Sequence, residues 1–450
     1  MKSLREVINE GIESIAIVGA SPVEGKVGNI ILKNLINYGF KGKIYPVNPK
    51  YKEIMGLKTY PNISSLPEVP DVVVIAVPPR IAINVLDEAS KYGAKLAVII
   101  TAGFREVGNI ELDKKLHGVI SKSKMRVLGP NSAGITLSRL GIHASIEVLP
   151  TKGPVGLVMQ SGALGGVVIS RLRKLSSGIS FFFSLGNMSD IEFSDVLDYA
   201  LQDEDTESLI AYIEWLRNGR KFMDLARKFV KVKPLCLIKG GWGVQSSEAV
   251  KSHTGGLATN YEVFKAVCRQ IGAYLAEDLD ELVEVCEIIR RIKSIKGRKA
   301  LIVTNSGGLG VITASHLESA GIDLRPLPEE LKDKVVKEAG KSFSGKNPID
   351  FGGDATIENV VAVSRVTELS KYYDILILVY VPTAAESAEK ISKGIRDGIN
   401  IENVPVITYF DGEGKDEVML HVSKYVPIVS SAHNLTKAVK ELARRGVEIQ

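Results

Sequence analysis

The sequence predicts an α/β protein with three doubly wound parallel sheets, and three observations lead to this prediction. Short runs of valine and isoleucine alternate with helix-like segments along the 450 residues. Strands that are apolar throughout are typical of parallel sheets covered by helices on both faces. Glycine, serine, asparagine and lysine follow these runs, where such sheets place their ligands. The pattern is typical of Rossmann-like and flavodoxin-like domains.

The first predicted domain covers residues 1–129. Its predicted strands are Ile15–Val18, Lys43–Val47, Asp71–Val77, Leu96–Ile100 and Arg126–Leu128. The turn after the first strand contains Ser21, Lys26 and several glycines and leads into a helix, so we expect it to hold an anion at the helix N-terminus. It is not a P-loop, because Ala20 stands in place of the first glycine and Val27 in place of the Mg²⁺-binding hydroxyl residue.

The second predicted domain covers residues 130–290. Its predicted strands are Pro154–Met159, Gly178–Ser184, Ser208–Ile213 and Leu235–Ile238. Polar and glycine residues again follow the strands: Gln160–Gly166 opens a helix, Leu185–Asn187 forms a turn, and Glu214 ends the third strand. We therefore expect a second ligand site at this edge of the sheet.

The third predicted domain covers residues 297–450 and follows a charged helix and connector at Asp280–Arg298, which predicts a domain boundary. Its predicted strands include Ala300–Thr304, Ile375–Tyr380 and Pro405–Tyr409. The turn Asn305–Gly308 parallels Gln160–Ala163, which indicates that the second and third domains repeat one fold.

Composition excludes several other classes of protein. The formal net charge of +5 is small for this length, and lysine and glutamate are interspersed, so no nucleic-acid partner is predicted. Three cysteines stand far apart, which predicts free thiols in a reducing compartment and no metal site. The N-terminus has no apolar signal core and no apolar run is long enough to span a membrane. A cytoplasmic protein without a membrane partner is therefore expected.

One long loop, Lys239–Asn260, is unusual in this pattern. Loops of about twenty residues inside a compact domain are usually functional or disordered. At its centre His253 is followed by a hydroxyl residue and two glycines, which can turn backbone N–H groups towards an anion. A surface histidine in a glycine-rich linker is the simpler interpretation when the loop is taken alone.

The motifs together resemble one family over essentially the whole chain. In chain order they are GASPVEGKVGN, YPVNPK, AVPP, TAGF.E, GPN..G, QSGA, SLGN, the glutamate at 214, SHTGGLA and NPIDFGGDA. The chain resembles the α subunits of ADP-forming acyl-CoA synthetases (acetate–CoA ligase, ADP-forming) in the succinyl-CoA synthetase superfamily. No single motif is decisive, but ten in the right order are specific.

The resemblance implies a reversible reaction in which acyl-CoA, ADP and phosphate give an acid, CoA and ATP through an acyl phosphate. It implies that His253 becomes a phosphohistidine on a mobile loop and that Glu214 supports it. A neutral imidazole is a competent nucleophile near pH 7, and a carboxylate on its other nitrogen fixes the tautomer. The implied phosphate and acyl-phosphate contacts are Asn131, Gln160, Ser161, Gly162, Ala163, Gly186, Asn187, Thr254 and Gly255.

For coenzyme A, the resemblance implies a site at the strand ends of the first domain. The implied contacts are Gly19, Ser21, Lys26, Val27, Asn48, Lys50, Val77, Pro79, Thr101 and Gly103. Lysines suit the phosphates, and apolar rims suit the adenine and pantetheine. Lys50 is equally compatible with a plain surface charge.

The resemblance also implies a partner. The chain ends at Gln450 without a recognisable ATP-grasp domain, so a separate β subunit is expected to bind ADP or ATP with Mg²⁺, in a heterotetramer of the α2β2 type. Phosphate and a small carboxylic acid would be the other ligands. The segment from Trp242 to Gln245 departs from the arginine and acidic residues common in the family.

Two alternatives stay open at this point. One is a catalytically silent CoA-binding or acyl-CoA-binding regulatory module of the same fold, against which the presence of His253 and Glu214 argues. The other is a Rossmann oxidoreductase. The absence of GxGxxG and of an acidic ribose-binding residue after the second strand, where Asn48 stands, argues against it.

Overall fold

A computed structural model describes residues 2–243, 245–246, 250, 260–343, 346–382 and 386–449. Its three main sheets are mostly parallel and flanked by helices, which confirms the predicted fold class. The chain divides into two compact units, residues 1–170 with 178–277, and residues 171–177 with 278–450. The first unit contains two of the sheets. The division into three domains expected from the sequence, with its boundaries, stays a prediction.

The first sheet has five parallel strands in the order β2-β1-β5-β6-β7. The strands are β1 Ser14–Val18, β2 Lys43–Val47, β5 Val72–Ile75, β6 Leu96–Ile99 and β7 Arg126–Leu128, with a small hairpin of β3 Glu53–Ile54 and β4 Leu57–Lys58. The helices are α1 Leu4–Asn9, α2 Val27–Tyr38, α3 Pro79–Tyr92 and α4 Ile110–Ile120. Every residue of β1, β5 and β6 is buried, because helices cover both faces of the sheet.

The second sheet has seven strands in the order β14-β13-β12-β10-β11-β8-β9. They are β8 Gly134–Leu137, β9 Ile142–Ser145, β10 Lys152–Met159, β11 Ile179–Ser184, β12 Ser208–Ile213, β13 Leu235–Lys239 and β14 Tyr274–Ala276. Its helices are α5 Gly162–Lys174, α6 Phe193–Gln202, α7 Gly219–Phe229 and α8 Tyr261–Ile271.

Strands β8 and β9 form an antiparallel hairpin that the sequence pattern did not predict. Both are four residues long, and antiparallel edge strands on otherwise parallel sheets are common. The hairpin is held against α2, since the Asn34 side-chain amide donates to the Ser145 carbonyl at 2.9 Å. This contact joins the first and second sheets within one unit.

His143 on β9 makes the stability of this hairpin depend on pH. The ring is fully buried, its Nε2 donates to the Glu147 carbonyl at 3.1 Å, and its Nδ1 therefore accepts from the Thr136 hydroxyl at 2.7 Å. Burial lowers the pKa of His143 from 6.5 to about 4, although the bond to the Glu147 carbonyl opposes the shift. The stabilising effect of a neutral His143 is full above pH 6.5 and is lost as the pH falls towards 4.

As the pH falls over that range, we expect the free energy of unfolding of the wild-type chain to fall by about 3 kcal/mol more than that of His143→Gln. Each pKa unit is worth about 1.4 kcal/mol. Denaturant unfolding of both chains at pH 7.5 and pH 4.5 measures the difference. A difference in unfolding free energy that is the same at both pH values would contradict the assignment.

The third sheet forms the second unit and has the order β16-β15-β17-β18-β19, all parallel. Its strands are β15 Ala300–Thr304, β16 Ile349–Asp350, β17 Ile375–Tyr380, β18 Val406–Phe410 and β19 Ile428–Val429. The helices are α9 Leu279–Ile292, α10 Gly307–Ser319, α11 Glu329–Ala339, α12 Ile357–Ala362, α13 Ala388–Gly398, α14 Lys415–Val422 and α15 Ala432–Ile449.

Helix α9 occupies most of the segment in which the sequence predicts a charged helix and connector. Residues 281–289 are all buried, and the helix packs against α15. Glu284 accepts hydrogen bonds from the Ser430 backbone N–H at 3.1 Å and the Asn434 side chain at 2.7 Å. Burial raises the pKa of Glu284 although these bonds oppose the shift. The longer segment of the second compact unit begins at this charged but internal helix.

The second and third sheets share one strand order and one local contact. When the strands of each sheet are numbered along the chain, starting from β10 in one and from β15 in the other, the first strand lies between the second and the third. This is the flavodoxin-like arrangement. After β10, the Gln160 side chain bonds to the backbone of Glu214 and Trp215 beyond β12. After β15, the Asn305 side chain bonds in the same way to Val381 beyond β17, with two bonds of 2.9 Å. The repeat indicated by the two similar turns is therefore present in the fold.

Within the part of the chain that the structure describes, no helix combines the length and the apolar character that crossing a bilayer requires.

Candidate active site

The turn after β1 depends on two glycines. Gly19 has a φ of +94°, and a Cβ atom there would lie 2.3 Å from the Ala76 carbonyl oxygen. A Cβ atom on Gly28, in the first turn of α2, would lie 2.0 Å from the Gly19 carbonyl oxygen. Only glycine at both positions lets helix α2 start against the end of β1.

The coenzyme A residues expected from the sequence gather at the carboxyl edge of the first sheet. The Asn48 side chain donates to the Ala20 carbonyl at 2.8 Å and ties the loop after β2 to the turn after β1. The Thr101 hydroxyl donates to the Val77 carbonyl at 2.7 Å and ties the loops after β6 and β5. A Cβ atom on Gly103 would lie 2.7 Å from the ring of Pro79.

The remaining members of this set differ in exposure. The Ser21 hydroxyl accepts from the Val23 backbone N–H at 3.1 Å and is half-buried. Lys26, Val27 and Lys50 are exposed at the rim. The two lysines are thus available to an anionic ligand, while the half-buried members shape the loops.

A second group of loops meets this edge. The Asn131 backbone N–H donates to the Thr101 carbonyl at 2.9 Å, and the Asn187 backbone N–H donates to the Pro130 carbonyl at 2.9 Å. Gly186 has a φ of +54°, and a Cβ atom there would lie 2.2 Å from the Pro130 carbonyl oxygen. The loops after β6, β7 and β11 therefore form one packed cluster between the first and second sheets.

Glu106 links the two groups of loops and was not among the residues expected from the sequence. Its carboxylate accepts from the backbone N–H groups of Gly103 and Phe104 and from the Asn187 side chain. Burial alone would raise the pKa of Glu106, but these donors hold it below its ordinary value. Glu106 is the last residue of the motif TAGF.E, but its sequence position alone did not indicate its contacts.

The start of α5 lies beside the same cluster. Ser161 and Gly162 are half-buried and Ala163 is exposed, so the first N–H groups of the helix are open to a ligand. The Gln160 side chain is buried and its oxygen accepts from the backbone of both Glu214 and Trp215. Gln160 therefore positions the end of β12 with its side chain.

Three side chains surround the end of β12. Glu214 is 2% exposed, and the Tyr212 hydroxyl hydrogen-bonds to its carboxylate. Burial and the Glu214 charge raise the pKa of Tyr212. The Lys239 ammonium, at the end of β13, donates to the Glu214 carbonyl at 2.7 Å and to the Gly240 carbonyl. Burial lowers the pKa of Lys239 to about 8, and the Glu214 charge opposes this shift.

His253, Thr254 and Gly255 lie outside the described residues. The segments that flank them are described on both sides. Trp242 and Tyr261 stack with ring centroids 5.6 Å apart and planes at 25°. Residues 240–260, which we call the histidine segment, therefore begin and end close together.

Two family models match the chain. Residues 13–138 match a CoA binding domain, and residues 152–289 match a succinyl-CoA ligase like flavodoxin domain. The first match covers the first sheet with its glycine turn, and the second covers strands β10 to β14 of the sheet that carries Glu214.

Relatives extend the similarity to nearly the whole chain. The α subunit of ADP-forming acetate–CoA ligase II from Pyrococcus furiosus is 33% identical over 404 residues, which are 88% of each chain. This chain belongs to the ADP-forming acetate–CoA ligase family. A solved Ca. Korarchaeum cryptofilum dinucleotide forming acetyl-coenzyme A synthetase 1, in complex with phosphate and ADP, superimposes with a TM-score of 0.87 at 32% identity, over 97% of this chain and 96% of that one.

Some members of the ADP-forming acetate–CoA ligase family are longer. The enzyme of Methanocaldococcus jannaschii is 39% identical over 347 residues, which are 77% of this chain and 49% of that relative. The chain thus spans about half the length of this relative, and its match covers 58% of the ligase I of Archaeoglobus fulgidus. Membership of the family favours an enzyme over the silent regulatory module considered from the sequence.

Proposed function

We propose that this chain is the α-type part of an ADP-forming acyl-CoA synthetase, which interconverts acyl-CoA, ADP and phosphate with a carboxylic acid, CoA and ATP. The observation that carries the proposal is the convergence of Glu214, the start of α5 and the loops of Asn131 and Asn187 at one sheet edge, in a chain of this family. Acetate is the acid named for the three ligases described above; the acid used by this chain is left open within the class of small carboxylates.

The first step proposed is attack of a phosphate oxygen on the thioester carbonyl. The carbon–sulfur bond breaks, an acyl phosphate forms, and the CoA sulfur takes up a proton. The open N–H groups at the start of α5, at Ser161, Gly162 and Ala163, would hold the phosphate, with Gly186, Asn187 and Asn131 on its other side. Gln160 would act by fixing the backbone of Glu214.

The second step proposed is attack of a ring nitrogen of His253 on the phosphorus. The phosphorus–oxygen bond breaks and the carboxylate leaves, which gives a phosphohistidine. Glu214 would accept the N–H of the other ring nitrogen and stabilise the positive charge that develops on the ring. Thr254 and Gly255 would add contacts to the phosphoryl group. ADP then attacks the phosphorus, the nitrogen–phosphorus bond breaks, and ATP forms.

Coenzyme A would lie along the carboxyl edge of the first sheet. Lys26 and Lys50 would neutralise its phosphates, and the turn of Gly19, Ser21 and Val27 would receive the anion at the start of α2. The loops of Asn48, Val77 and Pro79, and those of Thr101 and Gly103, would line the nucleotide and pantetheine. The hydrogen bonds among these loops support a preformed groove.

An ATP-grasp partner would supply the sites for ADP or ATP and Mg²⁺. The relatives named as α subunits support a separate β chain, and an α2β2 assembly is the simplest complex. A cytoplasmic location, with no nucleic acid or membrane as partner, completes the proposal.

The glycine at position 28 gives a test of the coenzyme A site. Gly28→Ala places a Cβ atom 2.0 Å from a backbone oxygen, so α2 must move away from the turn. We expect the affinity for CoA, measured by calorimetry, to fall at least about tenfold, since misplacing a binding group by about 1 Å costs that much or more. Gly118→Ala in α4 is the matched control.

A Cβ atom on Gly118 meets nothing within 4 Å, so the control should keep wild-type CoA affinity and gain up to about 1 kcal/mol of stability. Equal CoA affinity for Gly28→Ala and wild type would exclude this turn from the site.

The proposed reaction is tested with the chain and a separately expressed ATP-grasp partner. We expect ATP formation that requires acetyl-CoA, ADP and phosphate together, and no ATP from either chain alone. Tight CoA binding without ATP formation under these conditions would favour a binding module instead.

A further inference from the structure

We propose that Lys239 is a positioning residue for phosphoryl transfer, holding the Glu214 end of β12 and the start of the histidine segment in one fixed geometry. This inference rests on the proposed function, because it deepens the role of the site around Glu214. Lys239 is the last residue of β13 and directly precedes the segment that leads to His253.

The geometry places one ammonium between the two elements that must act together. Its N–H groups donate to the Glu214 carbonyl on β12 and to the Gly240 carbonyl at the start of the loop. Lys239 pairs directly with Ile213 across the two parallel strands. The side chain thus fixes the first peptide beyond each strand, which is where both strands leave the regular sheet.

Burial makes this arrangement unusual for a lysine. Lys239 is 2% exposed, and lysines are rarely buried so completely without a partner. Its partners in the described residues are two backbone oxygens, with the Glu214 carboxylate near enough to interact with the charge. The cost of burying the ammonium is a reason to expect a function beyond stability.

Packing around the lysine restricts how the loop can start. A Cβ atom on Gly240 would lie 2.3 Å from the Tyr212 hydroxyl, so the peptide after Lys239 passes directly over Tyr212. Tyr212 in turn bonds to the Glu214 carboxylate. Lys239, Tyr212 and Gly240 therefore enclose Glu214 from the side on which the loop begins.

The first unit also contains a matched control for this chemistry. Lys233 donates to two backbone carbonyls as well, those of Ala200 at 2.8 Å and Asp203 at 2.6 Å. Burial lowers the pKa of Lys233 too. Among the described residues, Lys233 hydrogen-bonds to the end of α6 and to none of the site residues. Its substitution therefore shows the effect of losing two such hydrogen bonds without an effect on the site.

Two tryptophans report on the geometry independently of activity. They are the only tryptophans of the chain, and they are Trp215, directly after Glu214, and Trp242, two residues after Gly240. Their emission spectrum therefore senses both peptides that Lys239 holds.

The test compares Lys239→Met, Lys239→Arg and Lys233→Met in the full chain with its ATP-grasp partner. For each, the single-turnover rate of phosphohistidine formation from ATP, the Kd for CoA and the tryptophan emission are measured. We expect Lys239→Met to form phosphohistidine about 10- to 100-fold more slowly, with the Kd for CoA within about twofold and a shifted emission maximum.

Lys233→Met should keep the rate and the emission of wild type and lose only thermal stability. Lys239→Arg should recover part of the rate, because a guanidinium can also donate to two carbonyls. If Lys239→Met fails to fold, Lys239→Arg takes its place in the test. Its rate and its emission maximum should then lie between the wild-type values and the values expected for Lys239→Met.

Two results would overturn the inference: a wild-type rate for folded Lys239→Met, or equal losses of rate in Lys239→Met and Lys233→Met. A wild-type chain that never forms phosphohistidine would refute the proposed function. In that case an unchanged emission in Lys239→Met would refute the positioning role separately.

Discussion

Replacing His253 with alanine is expected to abolish ATP formation from acetyl-CoA, ADP and phosphate, with a loss of at least about 10³-fold. Such a loss corresponds to about 4 kcal/mol of transition-state stabilisation. The proposed reaction has no other route, because the phosphoryl group must be carried by a covalent bond to the ring nitrogen between two sites. The assay is ATP formation by the chain with its ATP-grasp partner.

A half-reaction separates this loss from a general defect. Formation of acyl phosphate from acetyl-CoA and phosphate needs no histidine in the proposed sequence, so His253→Ala should retain it. His316→Ala, an exposed histidine on α10, is the matched control and should keep full activity. An active His253→Ala chain would contradict the mechanism, and loss of both half-reactions would point to a structural defect.

Glu214→Gln is expected to have the second largest effect. The substitution keeps the shape of a side chain that is 2% exposed but removes the negative charge that the proposed mechanism places beside the reacting ring. We expect the rate of phosphohistidine formation to fall about 10²- to 10⁴-fold, the range typical for groups that assist proton movement in a transition state. The Kd for CoA should be unchanged, because the first sheet is not altered.

Glu204→Gln is the control for Glu214→Gln, since it neutralises an exposed carboxylate in the same unit. It should match wild type in rate and in CoA affinity. A Glu214→Gln chain that forms phosphohistidine as fast as the control would remove Glu214 from the mechanism.

The parts of the fold that could be predicted from the sequence are those governed by burial on both faces. Strands such as Val72–Ile75 and Ile375–Tyr380 are apolar at every position, which only a covered parallel strand requires. The hairpin of β8 and β9 gave no such signal, because it is short and its placement depends on α2. The charge of Glu284 in α9 did not indicate that this residue is buried. Its carboxylate lies against partners about 150 residues away in the chain.

The residues of the candidate site also fall into those that could be located from the sequence and those that could not. Strand ends can be located from the sequence, so Gly19, Asn48, Thr101 and Asn187 could be assigned to sheet edges before their contacts were known. Lys239 could not, because a lysine at a strand end usually remains in solvent. Its burial depends on carbonyl groups that only the pairing of β12 and β13 brings within reach.

The central claim is that His253 carries the phosphoryl group, and one measurement tests it directly. The wild-type chain and its ATP-grasp partner are incubated with ATP and Mg²⁺, digested at neutral to alkaline pH, and analysed by mass spectrometry. We expect one phosphoryl group on His253, which disappears when ADP is added. ATP formation by a chain whose only phosphorylated residue is not His253, or by a chain with no phosphorylated residue, would contradict the account.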